Sequence, residues 1–199
     1  MAMATERGLD RLTYFTDAIA AIAITLLVLP IVDRVAEADT AAEFFTDNLP
    51  SLGAFALSFL VIARLWTAHH AAFEHVSSYT PALRWLSLAW AFTIALLPLP
   101  TAMAAQWETT WPVVLFYIGT MTASSTVLTA IYLYIRRHPV VESTDDPVPA
   151  ARIRNSIITN IEFVVALLLG TLVPAINYFA LFALLFSLPL GWFTRRRRA

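Results

Sequence analysis

The chain has 199 residues, 59% of them hydrophobic, and a formal net charge of −1. That apolar share exceeds the roughly 45–50% of soluble domains, and the mean hydropathy is +0.69, which excludes an ordinary soluble globular protein. Cysteine is absent and all 13 basic residues are arginine, so a disulfide, a thiolate metal site, a cysteine nucleophile, a retinal Schiff base and lysine catalysis are excluded as well.

The start, up to Arg11, contains no apolar run and does not read as a cleaved signal peptide. The first span is expected over about 11–32, RLTYFTDAIAAIAITLLVLPIV. Some twenty apolar residues suffice for one crossing. An aspartate within such a span costs about 2.5–3.5 kcal/mol on the insertion scale, so Asp17 is expected to face a partner or water. At 100° per residue, Arg11, Phe15, Ala18, Ile22, Leu26 and Leu29 fall on one stripe, with Thr25 at its edge. Thr16 and Asp17 point to either side of the back. Lipid needs no such polar patch, whereas a helix packed on its neighbours and facing a narrow shared axis uses both faces.

An acidic loop follows, with Asp33, Glu37, Asp39, Glu43 and Asp47 against Arg34, and room for a short surface helix. The second span, about 50–72, starts at Pro50, which suits a first helical turn. The third, about 82–103, carries Pro98 and Pro100, which kink or end a helix. Trp107 and Trp111 suit an interfacial aromatic position before the fourth span, about 111–135. Residues 136–154 are polar, with Pro139, Pro147 and Pro149 marking a loop. The fifth and sixth spans, about 153–173 and 176–193, are joined by a turn at Pro174, and the tail is RRRRA. Residues 1–199 thus read as a single six-helix transmembrane domain, an all-α membrane protein without internal repeat.

Arg7, Arg11, Arg84, Arg136, Arg137, Arg152, Arg154 and Arg195 to Arg198 share one side of this arrangement. Only Arg34 lies clearly on the other, and Arg64 lies within the second span. The positive-inside rule then places both termini in the cytoplasm. The arginine tail reads first as a topology determinant, with anionic-lipid contact as an addition; no nucleic-acid partner is expected.

Two motifs carry a family resemblance. The first is Arg11-x-x-x-Phe15-Thr16-Asp17 followed by AIAAIAITLL. The second, in span two, is Trp66-Thr67-Ala68-His69-His70-Ala71-Ala72-Phe73. They resemble the Arg-x-x-x-Phe-Ser-Asp and Trp-x-x-His-His-x-x-Phe motifs of the transmembrane-protein-175 family of potassium-permeable channels, with Thr16 in the serine position. The two motifs cover under a fifth of the chain. For a bacterial member the resemblance implies a multi-pass protein of the inner (plasma) membrane, a homotetramer with the first helix of each subunit lining a central pore. It implies an apolar constriction at Ile22, Leu26 and Leu29, and no cofactor, only permeant potassium ions.

Thr25 then has two readings: a ring of pore hydroxyls, or a hydroxyl bonded back to the carbonyl of Ala21. Asp17, off the stripe, reads as structural, with the Trp66 indole, His69, His70 or Arg64 as partners. Arg11, Phe15, Thr16, Asp17, Trp66, His69 and His70 form the expected polar network around the first helix. Arg11 needs a carboxylate partner if cations are to pass, and Glu162 is one candidate partner for Arg11 or Arg64.

Among enzymes, a metal-dependent one is the main alternative, because His69, His70, Glu74 and His75 cluster; yet no His-Glu-x-x-His helix is present. A serine protease lacks a Gly-x-Ser motif. The stronger rival is a proton-coupled cation transporter in which Asp17, Glu162 and the histidines form a relay.

Overall fold

The computed structural model describes residues 6–78, 80–173 and 181. The described part is all-helical: α1 (Glu6–Leu26), α2 (Leu29–Val32), a 3-10 turn (Asp33–Glu37), α3 (Ala41–Asp47), α4 (Leu49–Phe73), α5 (Pro81–Leu96), α6 (Pro98–Gln106), α7 (Trp111–Arg137) and α8 (Ala150–Leu172). Five stretches are long and apolar enough to cross a membrane: Arg7–Glu37, Leu49–Phe73, Pro81–Gln106, Trp111–Arg137 and Ala150–Leu172. The sixth span expected at 176–193 lies outside the described residues, apart from Leu181, which is buried.

Proline sets most of the breaks. The first span is not one uninterrupted helix: α1 stops at Leu26 and α2 restarts at Leu29. Pro30 has no N–H for the carbonyl of Leu26, and its ring crowds that carbonyl. In place of regular helical bonds, Val28 N–H reaches Thr25 O at 3.4 Å and Ile31 N–H reaches Val28 O at 3.0 Å. Pro98 divides the third span between α5 and α6, with Leu97 as the joint. Helix α7 ends before Pro139 and α8 before Pro174, since the residue preceding a proline is disfavoured in the helical region. The acidic loop does hold a short helix. Thr40 Oγ1 caps α3 by accepting from Glu43 N–H, while Glu43 Oε2 accepts from Asp39 N–H.

The helices stack in order of depth. α1 packs on α4 and α5; α7 lies behind α4, α5 and α6; α8 packs on α7. The core between them holds Ile62, Leu65, Leu83, Trp90, Ile94, Tyr117, Ile118 and Met121. Ser58 joins three helices there, at 2.7 Å from the Tyr117 hydroxyl and 2.9 Å from the Thr101 hydroxyl. In α7 the hydroxyls of Thr120, Thr122, Thr126 and Thr129 return to carbonyls one turn earlier, which satisfies them without water.

At the arginine-rich end, the loop after α4 is tied to the loop before α8. Ser77 N–H donates to Val141 O at 3.0 Å and Ser143 N–H to His75 O at 2.8 Å. His75 Nδ1 lies 3.0 Å from both the carbonyl and a carboxylate oxygen of Asp146. These contacts hold the ends of α4, α7 and α8 in one block.

Candidate functional site: the open stripe of the first helix and its polar anchor

Helix α1 occupies the edge of the described fold opposite α8, and one of its faces is uncovered among the described residues. Arg11, Phe15, Ala18, Ile22, Thr25, Leu26 and Leu29 are all exposed, Ile22 at 58% and Leu29 at 51%. The break at Leu27–Val28 leaves Leu29 on the exposed side. The opposite face, Leu12, Thr16, Ala20, Ala23 and Leu27, is buried. Ala20 and Ala23 carry small side chains at that buried face, which lets helix backbones approach closely inside a membrane. The first span also has the highest mean hydropathy of the five, 2.3 against 1.5–1.6 for the others. Among the five described spans, the one at the rim is thus the most apolar.

The back of α1 is pinned by polar bonds. Trp66 Nε1–H donates to Asp17 Oδ1 at 2.8 Å, and His70 Nδ1 stands 3.5 Å from Asp17 Oδ2. The Trp66 and His70 rings lie against each other with centroids 5.7 Å apart. Four residues separate Trp66 from His70, so both fall on the same side of α4. Thr16, fully buried, donates within α1 to the carbonyls of Thr13 and Leu12 at 2.9 and 3.2 Å.

Two of the expected partners of Asp17 lie elsewhere. His69 sits about 100° around α4 from His70, on the face that buries Ser58, Ile62, Leu65 and Ala72. Its ring is stacked between Trp90, at 3.9 Å, and Phe73, at 4.7 Å, and Nε2 lies 3.1 Å from Ser87 Oγ. Arg64 points toward α8, where Nη2–H donates to the Thr159 hydroxyl at 2.8 Å and the charge of Glu162 acts on it. Arg11 is exposed at the foot of the stripe and has no ion pair among the described residues. The Thr25 hydroxyl does bond back to its own helix, but to Ile22 O at 2.8 Å rather than to Ala21.

Sequence reasoning missed Ser87 and Trp90 as the setting of His69. Their spacing of three residues on α5 places them on one face, a signal open to inspection but silent about which histidine they meet. Among the described residues, no group of three His, Asp or Glu side chains is placed to hold a metal ion. His75, which had seemed part of a cluster with His69 and His70, belongs to the loop clasp instead.

The family model described as endosomal/lysosomal potassium channel TMEM175 matches residues 11–98, which include both motifs, the exposed stripe and the anchor. A potassium channel of Streptomyces collinus is 39% identical over 100 residues, covering 49% of this chain and 48% of that protein. A potassium channel of a Chryseobacterium species is 32% identical over 91 residues, 46% of each. The matched stretch spans about half the length of these curated relatives. The crystal structure of a lysosomal potassium-selective channel TMEM175 homologue from Chamaesiphon minutus superposes with a TM-score of 0.75, over 98% of this chain and 100% of that one, at 23% identity. That likeness establishes the shared fold.

Proposed function

We propose, from the match of residues 11–98 to the TMEM175 potassium-channel family model, that this chain is a member of that family and that four copies form a potassium-preferring channel whose pore is lined by α1. The observation that carries the proposal is the pairing of an open apolar stripe with a polar anchor behind it. An apolar stripe by itself suits lipid. Lipid, however, has no need of a fixed rotation, and the Trp66–Asp17 bond sets the rotation of α1, whose Ile22 and Leu26 lie exposed together with Leu29 of α2. A symmetric ring of four subunits gives that direction a meaning, because it turns each side chain into a layer of four.

Such a pore selects ions differently from a carbonyl filter. Rings of isoleucine and leucine offer no ligand, so they gate by dewetting and admit ions according to how readily these shed water. Potassium holds its water less tightly than sodium, which gives potassium the preference. The Thr25 hydroxyl donates to Ile22 O, yet its oxygen lone pairs remain able to face a passing cation. No cofactor is required by this mechanism. The arginines at the α4–α5 and α7–α8 loop end support, by the positive-inside rule, a cytoplasmic reading of that end and of the N-terminus in a bacterial cell.

One observation favours a second reading, a proton-coupled transporter: a Glu162 carboxylate oxygen is buried without a hydrogen-bond partner among the described residues. Flux into liposomes decides between the two. Passive potassium flux above sodium flux, with no proton gradient, supports the channel; flux that appears only with a proton gradient supports the transporter.

A further inference from the structure

Alongside α4, a cavity of about 710 Å³ lies between α4, α7 and α8. Most of its lining surface is apolar, from side chains such as Leu65 and Leu128, but Arg64, His70, Arg152, Asn155, Ser156 and Thr159 interrupt it with polar groups, and Trp66 lines it too. Arg152 at its mouth is 3.7 Å from Glu74, at the arginine-rich end of the subunit. Arg64 and Thr159 close it at depth. From Arg152 to Thr159 is seven residues of α8, and from Glu74 back to Arg64 is ten residues of α4, so the groove descends about 10–15 Å. That is up to half of a hydrocarbon core of about 30 Å.

We propose that this groove is a water-filled crevice, separate from the pore, that brings water and small water-soluble molecules from the arginine-rich face to the back of the Asp17–Trp66–His70 anchor. Three observations converge on it. Two guanidinium groups line the walls: Arg152 stands at the mouth beside Glu74, and Arg64, held at depth by the Thr159 hydroxyl and the charge of Glu162, keeps part of its surface on the groove, where contact with hydrocarbon is costly for a charge. Asn155 is exposed into the groove and makes no hydrogen bond among the described residues, so hydrocarbon contact would leave its amide unsatisfied. Room is not limiting, since a cavity holds a water once it offers about 10–15 Å³ and two to four polar partners. The anchor is reached because Trp66 and His70 belong to the same wall, and the His70 side chain is 45% exposed.

The chain has no cysteine, so single thiols can be placed without removing native ones. Ser156→Cys, an isosteric change on the α8 wall, and Ala68→Cys, on the α4 wall, report on the crevice. Ile161→Cys, exposed on the outside of α8, and Ala72→Cys, fully buried, are the controls. Each protein, in lipid nanodiscs, is treated with a membrane-impermeant charged methanethiosulfonate reagent, which reacts with the thiolate. Apolar surroundings raise a thiol's pKa, and each unit removes about tenfold of the thiolate. Ser156→Cys and Ala68→Cys are expected to react about tenfold faster or more than either control, whether or not the protein conducts ions. If a lipid or a neighbouring copy fills the groove, both react as slowly as Ile161→Cys, and the proposal is overturned. Elution of every variant at the wild-type position in size-exclusion chromatography ensures that the comparison is made on folded protein.

Discussion

Trp66 and Asp17 come from different helices, 49 residues apart in sequence, and meet through one hydrogen bond of 2.8 Å. The bond joins the first helix to its support at a single rotational setting. Everything proposed for the stripe depends on that setting, since a turn of one residue moves Ile22 about 100° from its direction.

Breaking this bond is therefore expected to loosen the protein before it alters ion choice. Trp66→Phe keeps most of the ring and removes the N–H; Asp17→Ala removes the acceptor. A bond to a charged acceptor contributes about 1.5–3 kcal/mol in water-soluble proteins, and interhelical bonds in membranes average nearer 0.6. Each variant should lower the thermal midpoint of the assembly while the potassium-to-sodium permeability ratio stays close to wild type. A changed ratio with unchanged stability would make Asp17 an ion site.

The neighbouring histidines should behave oppositely. His69 is enclosed between Trp90 and Phe73, so His69→Ala opens a core cavity and is expected to cost about 2–5 kcal/mol. His70→Ala removes a half-exposed ring and one 3.5 Å contact, for a cost of about 1 kcal/mol or less. Thermal melts of the two variants test the order; an equal loss would contradict the placement of His69 in the core.

Polar side chains at the narrow layers should wet them. Ile22→Asn and Leu29→Asn each place four amides around the axis of a tetramer, offering ligands where none stood. Sodium permeability relative to potassium should rise severalfold in both, measured as a shift in reversal potential under mixed-ion conditions. Unchanged conduction and selectivity in both variants would move the gate to another part of the molecule.

Thr25 separates two roles by a single atom. Thr25→Val keeps the shape and removes the hydroxyl that now donates to Ile22 O. A pore hydroxyl predicts lower potassium conductance with the thermal midpoint unchanged. A hydroxyl that serves only its own helix predicts no change in conductance.

The helices, the apolar stripe and the need of Asp17 for a partner were legible in the sequence because each is local. A period of 3.6 residues determines which side chains share a face, and an aspartate in an apolar span demands a partner wherever it lies. Which partner it finds was not legible. Trp66, His69, His70 and Arg64 all lie within two turns of α4, and choosing among them requires the rotation of that helix, which its packing on α1, α6 and α7 sets. The same packing sends His69 to Trp90 and Arg64 to Thr159. The break at Leu27–Val28 was announced by Pro30 but not read as a break. The clasp between His75 and Asp146 joins loops 71 residues apart, and no local pattern in either loop points to the other.

The most direct test of a pore lined by α1 is the effect of cadmium ions on potassium current through single-cysteine variants, because thiolates converging on one axis form a soft-metal site. Ile22→Cys and Leu29→Cys, on the exposed stripe, are expected to be blocked by cadmium. Ala23→Cys and Leu27→Cys, on the buried face, are expected to conduct unchanged. Block at Ala23→Cys and Leu27→Cys but not at Ile22→Cys and Leu29→Cys, or no block at any of the four, would contradict a pore lined by this stripe.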